Sequence, residues 1–169
     1  DGDEIVFQVD GPGKWTIEPN GKTFHALHLF VNAIEKDPPS PEDPDVVYFG
    51  PGIHEIGSLD LKDNQTLYIA GGAVVRFVVM PGDSMIRQEF RKTPGLGRIT
   101  LDRLDHAVKI HNRKNVAIRG RGILSFDHLD TTPEDDRRTA RRNPIHVMHS
   151  EDVEISGIII RDSPCWNIS

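Results

Sequence analysis

Apolar and polar residues alternate in short runs bounded by Gly, Pro and Asn, as in Ile5-Val6-Phe7-Gln8-Val9, Trp15-Thr16-Ile17, Val46-Val47-Tyr48-Phe49 and Thr66-Leu67-Tyr68-Ile69. A period of two sends successive side chains to opposite faces, so these runs predict short strands. Turns are marked by Pro12-Gly13, Asn20-Gly21, Pro51-Gly52, Pro81-Gly82 and Pro94-Gly95, where a fixed or permissive φ interrupts regular structure. The expected class is all-β. Between Asp37 and Asp45 four prolines remove backbone donors and favour extended chain. This predicts a Pro-rich linker over 37–45 that separates residues 1–36 from 46–169, with a long surface loop as the alternative.

A sequence repeat refines the fold. Asn115-Val116-Ala117-Ile118-Arg119-Gly120 and Asp152-Val153-Glu154-Ile155-Ser156-Gly157 share Asx-Val-x-Ile-x-Gly, and Asn64-Gln65-Thr66-Leu67-Tyr68-Ile69 is a looser copy. Their starts lie 51 and 37 residues apart. With some twenty-odd residues per coil of a solenoid, the first gap is expected to hold two coils and the second one coil plus an insertion. The insertion reads as a short helix over 132–142: Thr132 as N-cap, Pro133 at N1, acids in the first turn, arginines in the last, and Pro144 beyond it. Stacked coils would align Val and Ile into a continuous apolar core while the Asn or Asp turns the backbone. That is the logic of a parallel β-helix; paired strands of an antiparallel sandwich also fit the pattern.

Composition narrows the function classes. The 169 residues suffice for one ordinary domain, or a domain and part of another, without disulfides. Lys and Arg total 20 against 26 Asp and Glu, a formal charge of −6, which gives no unspecific attraction to nucleic acid or anionic membrane. The longest apolar stretch, Ala70 to Met80, is broken by Arg76 and falls short of the about 20 residues that span a bilayer. Neither a nucleic-acid nor a membrane partner is expected. The single cysteine, Cys165, excludes an internal disulfide, and no Cys/His spacing resembles a metal site, so no metal or cofactor is expected.

Val47 to His54, Leu67 to Val75, Asn115 to Leu124 and Ile158 to Ile168 with Ser163-Pro164-Cys165-Trp166 resemble the early coils of pectin-lyase-like right-handed parallel β-helices, and among them polygalacturonase-like family 28 glycoside hydrolases. In that family a coil with Asn-Val-x-Ile-x-Gly-x-Gly precedes a strand ending Asn-Ser-Pro-x-Trp; here Asp162 stands in place of that Asn. The resemblance covers about Val46 to Ser169, while Asp1 to Phe30 is similar to the last strands of a small β-sandwich found ahead of the helix in some relatives. It implies inverting hydrolysis of a uronate-containing polysaccharide by a secreted or periplasmic protein. The family's Asn-Thr-Asp, Gly-Asp-Asp, Gly-His-Gly and Arg-x-Lys elements have no counterpart here. The resemblance therefore implies an amino-terminal segment, inactive alone, whose catalytic aspartates and remaining coils lie beyond Ser169. A dextranase-like hydrolase, a polysaccharide lyase and a non-catalytic carbohydrate-binding β-helix are the rival readings.

Individual side chains are weighed against plain structural roles. Asp127 and Asp130 flank His128, yet turns favour Asp without any catalytic duty, and Asp135-Asp136 belong to a helix start. No catalytic residue is assigned. Arg141 and Arg142 can form bidentate contacts with sugar carboxylates, or instead complement the helix dipole. Trp166 can stack on a sugar ring, but burial in the coil interior is the stronger expectation. Arg141, Arg142, His128 and Trp166 are thus the candidate substrate-binding residues. His146 and His149 are expected on opposite sides of one strand, and Cys165 in a buried strand.

Overall fold

The structure, a computed structural model, describes residues 4, 6–83, 85–90, 99–129 and 142–169. The chain divides into two units, Asp1–Pro38 and Pro39–Ser169. In the first, β1 (Gly13–Ile17) and β2 (Leu27–Val31) pair antiparallel, Trp15 opposite Leu29. The Asn20-Gly21 turn signal holds, with φ of 57° and 67°. The run Ile5–Val9 does not become a strand over its described residues, Val6–Val9. Alternation makes a strand only where a neighbour accepts its hydrogen bonds, and β1 takes β2.

The second unit follows as β3 (Val46–Phe49), β4 (Gly52–Ile56), β5 (Leu59–Asp60), β6 (Thr66–Ile69), β7 (Ala73–Phe77), β8 (Met85–Phe90), β9 (Ile99–Leu104), β10 (Val108–His111), β11 (Lys114–Gly120), β12 (Ile123–Ser125), β13 (Ile145–Met148), β14 (Glu151–Ser156) and β15 (Ile159–Arg161). Three sheets result, in the orders β14-β11-β6-β3, β15-β12-β7-β4 and β13-β10-β5, and every pairing in them is parallel. Each circuit of the chain lays one strand on each sheet, which is a parallel β-helix. In the fourth circuit Ile168 bridges Ile145 in the third position.

Register shows how the repeat builds the core. Val47, Leu67, Ile118 and Ile155 are successive partners across the first sheet. On the second sheet Val75 meets Leu124 and Leu124 meets Ile160; on the third Leu59, Val108 and Ile145 align. These side chains fill one interior cluster, in which Phe77 and Phe126 stack 5.0 Å apart with planes 9° from parallel. Each fully buried aliphatic side chain contributes about 1.5–3 kcal/mol, so the stacked interior dominates stability.

The Asx of the repeat works as a corner. Asn64, Asn115 and Asp152 take φ of 62°, 55° and 53°, a left-handed conformation that Asn and Asp tolerate better than most residues. Asn115 Nδ2 also donates to Asn64 Oδ1 at 3.0 Å, so consecutive corners are tied. The closing glycine is sterically required at Gly120, where φ is 139° and a Cβ would overlap the Ile69 carbonyl oxygen of the coil below.

Two expectations change. The separation of 51 between Asn64 and Asn115 holds one coil, not two. That coil is lengthened by the antiparallel hairpin β8–β9, whose own backbone bonds satisfy it outside the helix. The helix expected over 132–142 lies outside the described residues except for Arg142, which belongs to no regular element.

Candidate functional site

Added length concentrates at one corner, between the second and third sheets. Only Gly57 and Ser58 cross it in the first coil, whereas residues 78–107 and 126–144 cross it in the next two. The roots of these excursions converge on Arg142, 0% exposed. Arg142 Nη2 donates to Ser58 Oγ at 2.7 Å and to the His106 carbonyl at 3.3 Å, and its Nη1 lies 3.8 Å from Asp83 Oδ2. Its guanidinium also sits 5.9 Å from the Phe77 ring centroid. Asp83, 7% exposed at its side chain, accepts from the Ser58 backbone and hydroxyl at 2.9 and 3.1 Å and from Met80 N at 3.0 Å.

Burial opposes the Asp83 charge, but the Met80 and Ser58 hydrogen bonds and the Arg142 charge outweigh it and hold the carboxyl below its usual range. Burial likewise lowers Arg142, against the attraction of Asp83 and Asp105. Arg142 is therefore an interior clamp, out of reach of a polysaccharide on the surface. Arg141, its companion in the sequence reading, lies outside the described residues.

On the outer face of the second sheet, Glu55, Arg76, Ser125 and Arg161 align strand by strand. Asp127 joins them: Arg76 Nε donates to its Oδ1 at 3.2 Å and Arg161 Nη2 to its Oδ2 at 2.8 Å. Some burial raises the Asp127 carboxyl, yet hydrogen bonds from Ser125 and Arg76 and the charges of Arg76 and Arg161 leave it lowered. At neutral pH Asp127 is an ionised acceptor, not a proton donor, and it stands in a turn closed by Leu129 N to Phe126 O at 3.0 Å. His128 is exposed in the same turn, and Asp130 lies outside the described residues. Because the ion pairs are partly solvated, Asp127→Ala is expected to cost about 1 kcal/mol or less in a urea titration. A loss above about 3 kcal/mol would show that the carboxylate does more than pair with Arg76 and Arg161.

The outer face of the third sheet carries a cluster that the sequence reading missed. Asp60, Lys109 and His146 are register partners across β5, β10 and β13. Lys109 Nζ meets Asp105 Oδ2 at 2.8 Å, and Asp105 Oδ1 accepts the His106 backbone N–H at 2.8 Å. Three imidazoles gather there. The His106 and His146 rings stack with centroids 3.8 Å apart, His111 stands edge-on to His146 at 4.8 Å, and His111 Nε2 and His146 Nδ1 share a hydrogen bond of 2.6 Å. His106 is buried and the other two half-buried. The signal was present: shifting His146 back by the repeat separation of 37 lands on Lys109, whose strand ends in His111. Among the described residues no group of three or more His, Cys, Asp and Glu is arranged to hold a metal ion.

Trp166 overturns the expected burial: it is 75% exposed. Ser163 Oγ donates to the Cys165 carbonyl at 2.7 Å, bending the chain before Ile168 reaches β13, and Trp166 is left outward. Cys165 accordingly occupies a bend, half-buried, and not a strand. Of the four candidate substrate contacts, His128 and Trp166 are surface residues, Arg142 is interior, and no described geometry brings His128 and Trp166 together.

A search of solved structures finds this architecture elsewhere. The chain is similar in fold to a protein described as a "putative glycosyl hydrolase". That protein, from Parabacteroides merdae ATCC 43184, matches 73% of this chain at 20% sequence identity, with a TM-score of 0.52. The match spans 53% of that chain, so the present chain corresponds to about half its length. No family model matches the sequence, and no curated protein does.

Proposed function

We propose that the chain is the amino-terminal part of a polysaccharide-degrading, polygalacturonase-like glycoside hydrolase of inverting mechanism, exported and acting on a uronate-containing glycan. The observation that carries this is the parallel β-helix with Asx-Val-x-Ile-x-Gly rungs in register, a fold similar to that of the protein described as a "putative glycosyl hydrolase". The outer sheet faces carry rows of charged side chains, Glu55, Arg76 and Arg161 on one and Asp60 and Lys109 on another, the kind of surface on which a long polymer can lie. Inverting hydrolysis needs an acid and a base roughly 6.5–9.5 Å apart, the acid holding a proton near neutral pH. Asp83 and Asp127 are both held ionised by arginine and hydrogen bonds, and Asp105 is paired with Lys109, so none of these three described carboxyls is suited to hold that proton.

The test is reducing-sugar release from polygalacturonate, rhamnogalacturonan and dextran, comparing the 169-residue chain with the full-length gene product. Release from polygalacturonate by the full-length product alone is the expected result, with the α-linked substrate giving a β-anomer by proton NMR. Dextran cleavage would move the assignment to a dextranase-like enzyme, and an unsaturated product end to a lyase. Oligosaccharide binding without turnover would mean a non-catalytic β-helix.

A further inference from the structure

The outer face of the second sheet carries another row beside its charges. Ile53, Val74, Ile123 and Ile159 are register partners across β4, β7, β12 and β15. Their chain neighbours Val75 and Leu124 are fully buried, so alternation turns this row outward. Ile53 is 64% exposed and the other three are half-buried. Neither of the other sheets places an aliphatic residue outside on every rung. Thr66 and Glu154 interrupt one outer row of the first sheet, Arg119 and Ser156 the other, and Asp60, Lys109 and His146 occupy the third. β-Branched residues suit any pleated surface, so composition alone decides nothing. What decides is the order of charge two residues further along each strand: Glu55, then Arg76, then Ser125 with Asp127, then Arg161. From the first rung to the fourth it reads negative, positive, negative, positive.

Reversing that order exchanges its signs. A two-fold axis lying along the strands between β7 and β12 sets the first rung of one copy against the fourth of another, and the second against the third. Each residue keeps its position along the strand under that rotation. Ile53 of one copy therefore faces Ile159 of the other and Val74 faces Ile123, while Glu55 meets Arg161 and Arg76 meets the rung of Ser125 and Asp127. Such a contact is self-complementary, as a two-fold interface must be. An axis along the stack of coils instead lays the aliphatic row on the charged one and buries charges without partners. We propose that the outer face of the second sheet is a docking surface for a second copy of this chain, in a two-fold dimer with the coils stacked in opposite directions.

The end charges of the row are the ones open to a new partner. Glu55 and Arg161 are 54% and 49% exposed at their side chains, against 20% and 28% for Arg76 and Asp127, which already bond each other. Arg161 also holds Asp127 and Asp162 at 2.8 and 2.9 Å, so a contact with Glu55 extends a network and is not a lone pair. Four rungs about 4.8 Å apart, crossed by strands of three to five residues, offer well under the about 800 Å² per partner of a standard interface. The dimer is accordingly weak and reversible, with a dissociation constant of about 10–100 μM.

Sedimentation velocity of the 169-residue chain, taken from well below to well above that constant, is expected to show monomer passing to dimer. Glu55→Arg creates two like-charged pairs across the axis, and so does Arg161→Glu; each alone is expected to weaken association at least about tenfold. Mixed one to one, the two variants form a heterodimer in which one pair is reversed and the other is native, so both attract. Mixing is expected to restore association close to that of the unaltered chain. Ile123→Lys touches no ion pair and is expected to leave a monomer with unchanged circular dichroism, because that side chain already faces outward.

An unaltered chain that stays monomeric well above the constant would overturn the proposal and leave the row to a partner of another kind. Association that survives Ile123→Lys would move the contact to another surface, such as the edge strands of the end rungs, and overturn it as well. So would mixed charge variants that behave as they do apart. Mixing alters neither fold, so rescue reports only the contact between copies. Should a charge variant fail to fold, the concentration dependence of the unaltered chain and of Ile123→Lys still decides. No readout involves turnover, so the dimer stands or falls independently of the hydrolase reading.

Discussion

Asp83→Asn is expected to lower the unfolding free energy by about 3–5 kcal/mol, because it strands a fully buried guanidinium. The substitution is nearly isosteric, so the effect isolates charge. Asn can still accept from Ser58, but its amide would face the Met80 N–H, donor against donor, where the carboxylate now accepts at 3.0 Å. A urea midpoint comparison reads the loss. Replacing the whole pair, Asp83→Leu with Arg142→Met, should recover much of it, since a buried ion pair exchanged for apolar volume is often neutral. The acid limb gives a second check. The folded Asp83 carboxyl lies below its unfolded value of 3.8, so its contribution is complete above that value and is lost as pH falls through the lower folded one. In Asp83→Asn this part of the acid destabilisation should be missing. A change under about 1 kcal/mol would mean that Arg142 finds adequate compensation in Asp105 and its hydrogen bonds.

Gly120→Val should be comparably damaging, about 3–5 kcal/mol, from two sources. The φ of 139° belongs almost entirely to glycine, and the added Cβ runs into the Ile69 carbonyl, which is backbone and cannot rotate away. Gly82→Ala separates the two: φ there is 96° with nothing within 4 Å, so only the conformational strain remains, about 1–3 kcal/mol. If thermal melts rank the two substitutions equal, packing between β6 and β11 is looser than the register implies.

The repeat was legible because its chemistry is local. Asn at a left-handed corner, Val and Ile inward and Gly at the next corner can each be read from a six-residue window, and the sheets that follow are the consequence. Coil length was not legible: only the Pro94-Gly95 turn signal marks the segment, and nothing within β8–β9 says that β10 resumes beside β5. Arg142 was misread for a related reason. Next to Arg141 it looks like a solvated helix end, and its partner Ser58 lies 84 residues earlier, so only the closed coil reveals that the charge is interior. His146 likewise belongs to a different coil from His106 and His111, and meets them only because β13 stacks on β10. Trp166 shows the opposite error: a large aromatic after Ser-Pro suggests a core plug, but the Ser163 turn decides its direction first.

The hairpin in the second coil also bears on how the molecule assembles. Parallel rungs need distant segments to meet before any bond rewards them, and closing a chain over more residues costs entropy that grows only logarithmically. Formed early, on a timescale of about 1–10 μs, β8–β9 ties off its own ends and shortens the effective loop between β7 and β10. A segment that lengthens the chain thus need not slow its folding in proportion, and this corner can accept new sequence at small kinetic cost while the two Asn- and Gly-sealed corners cannot.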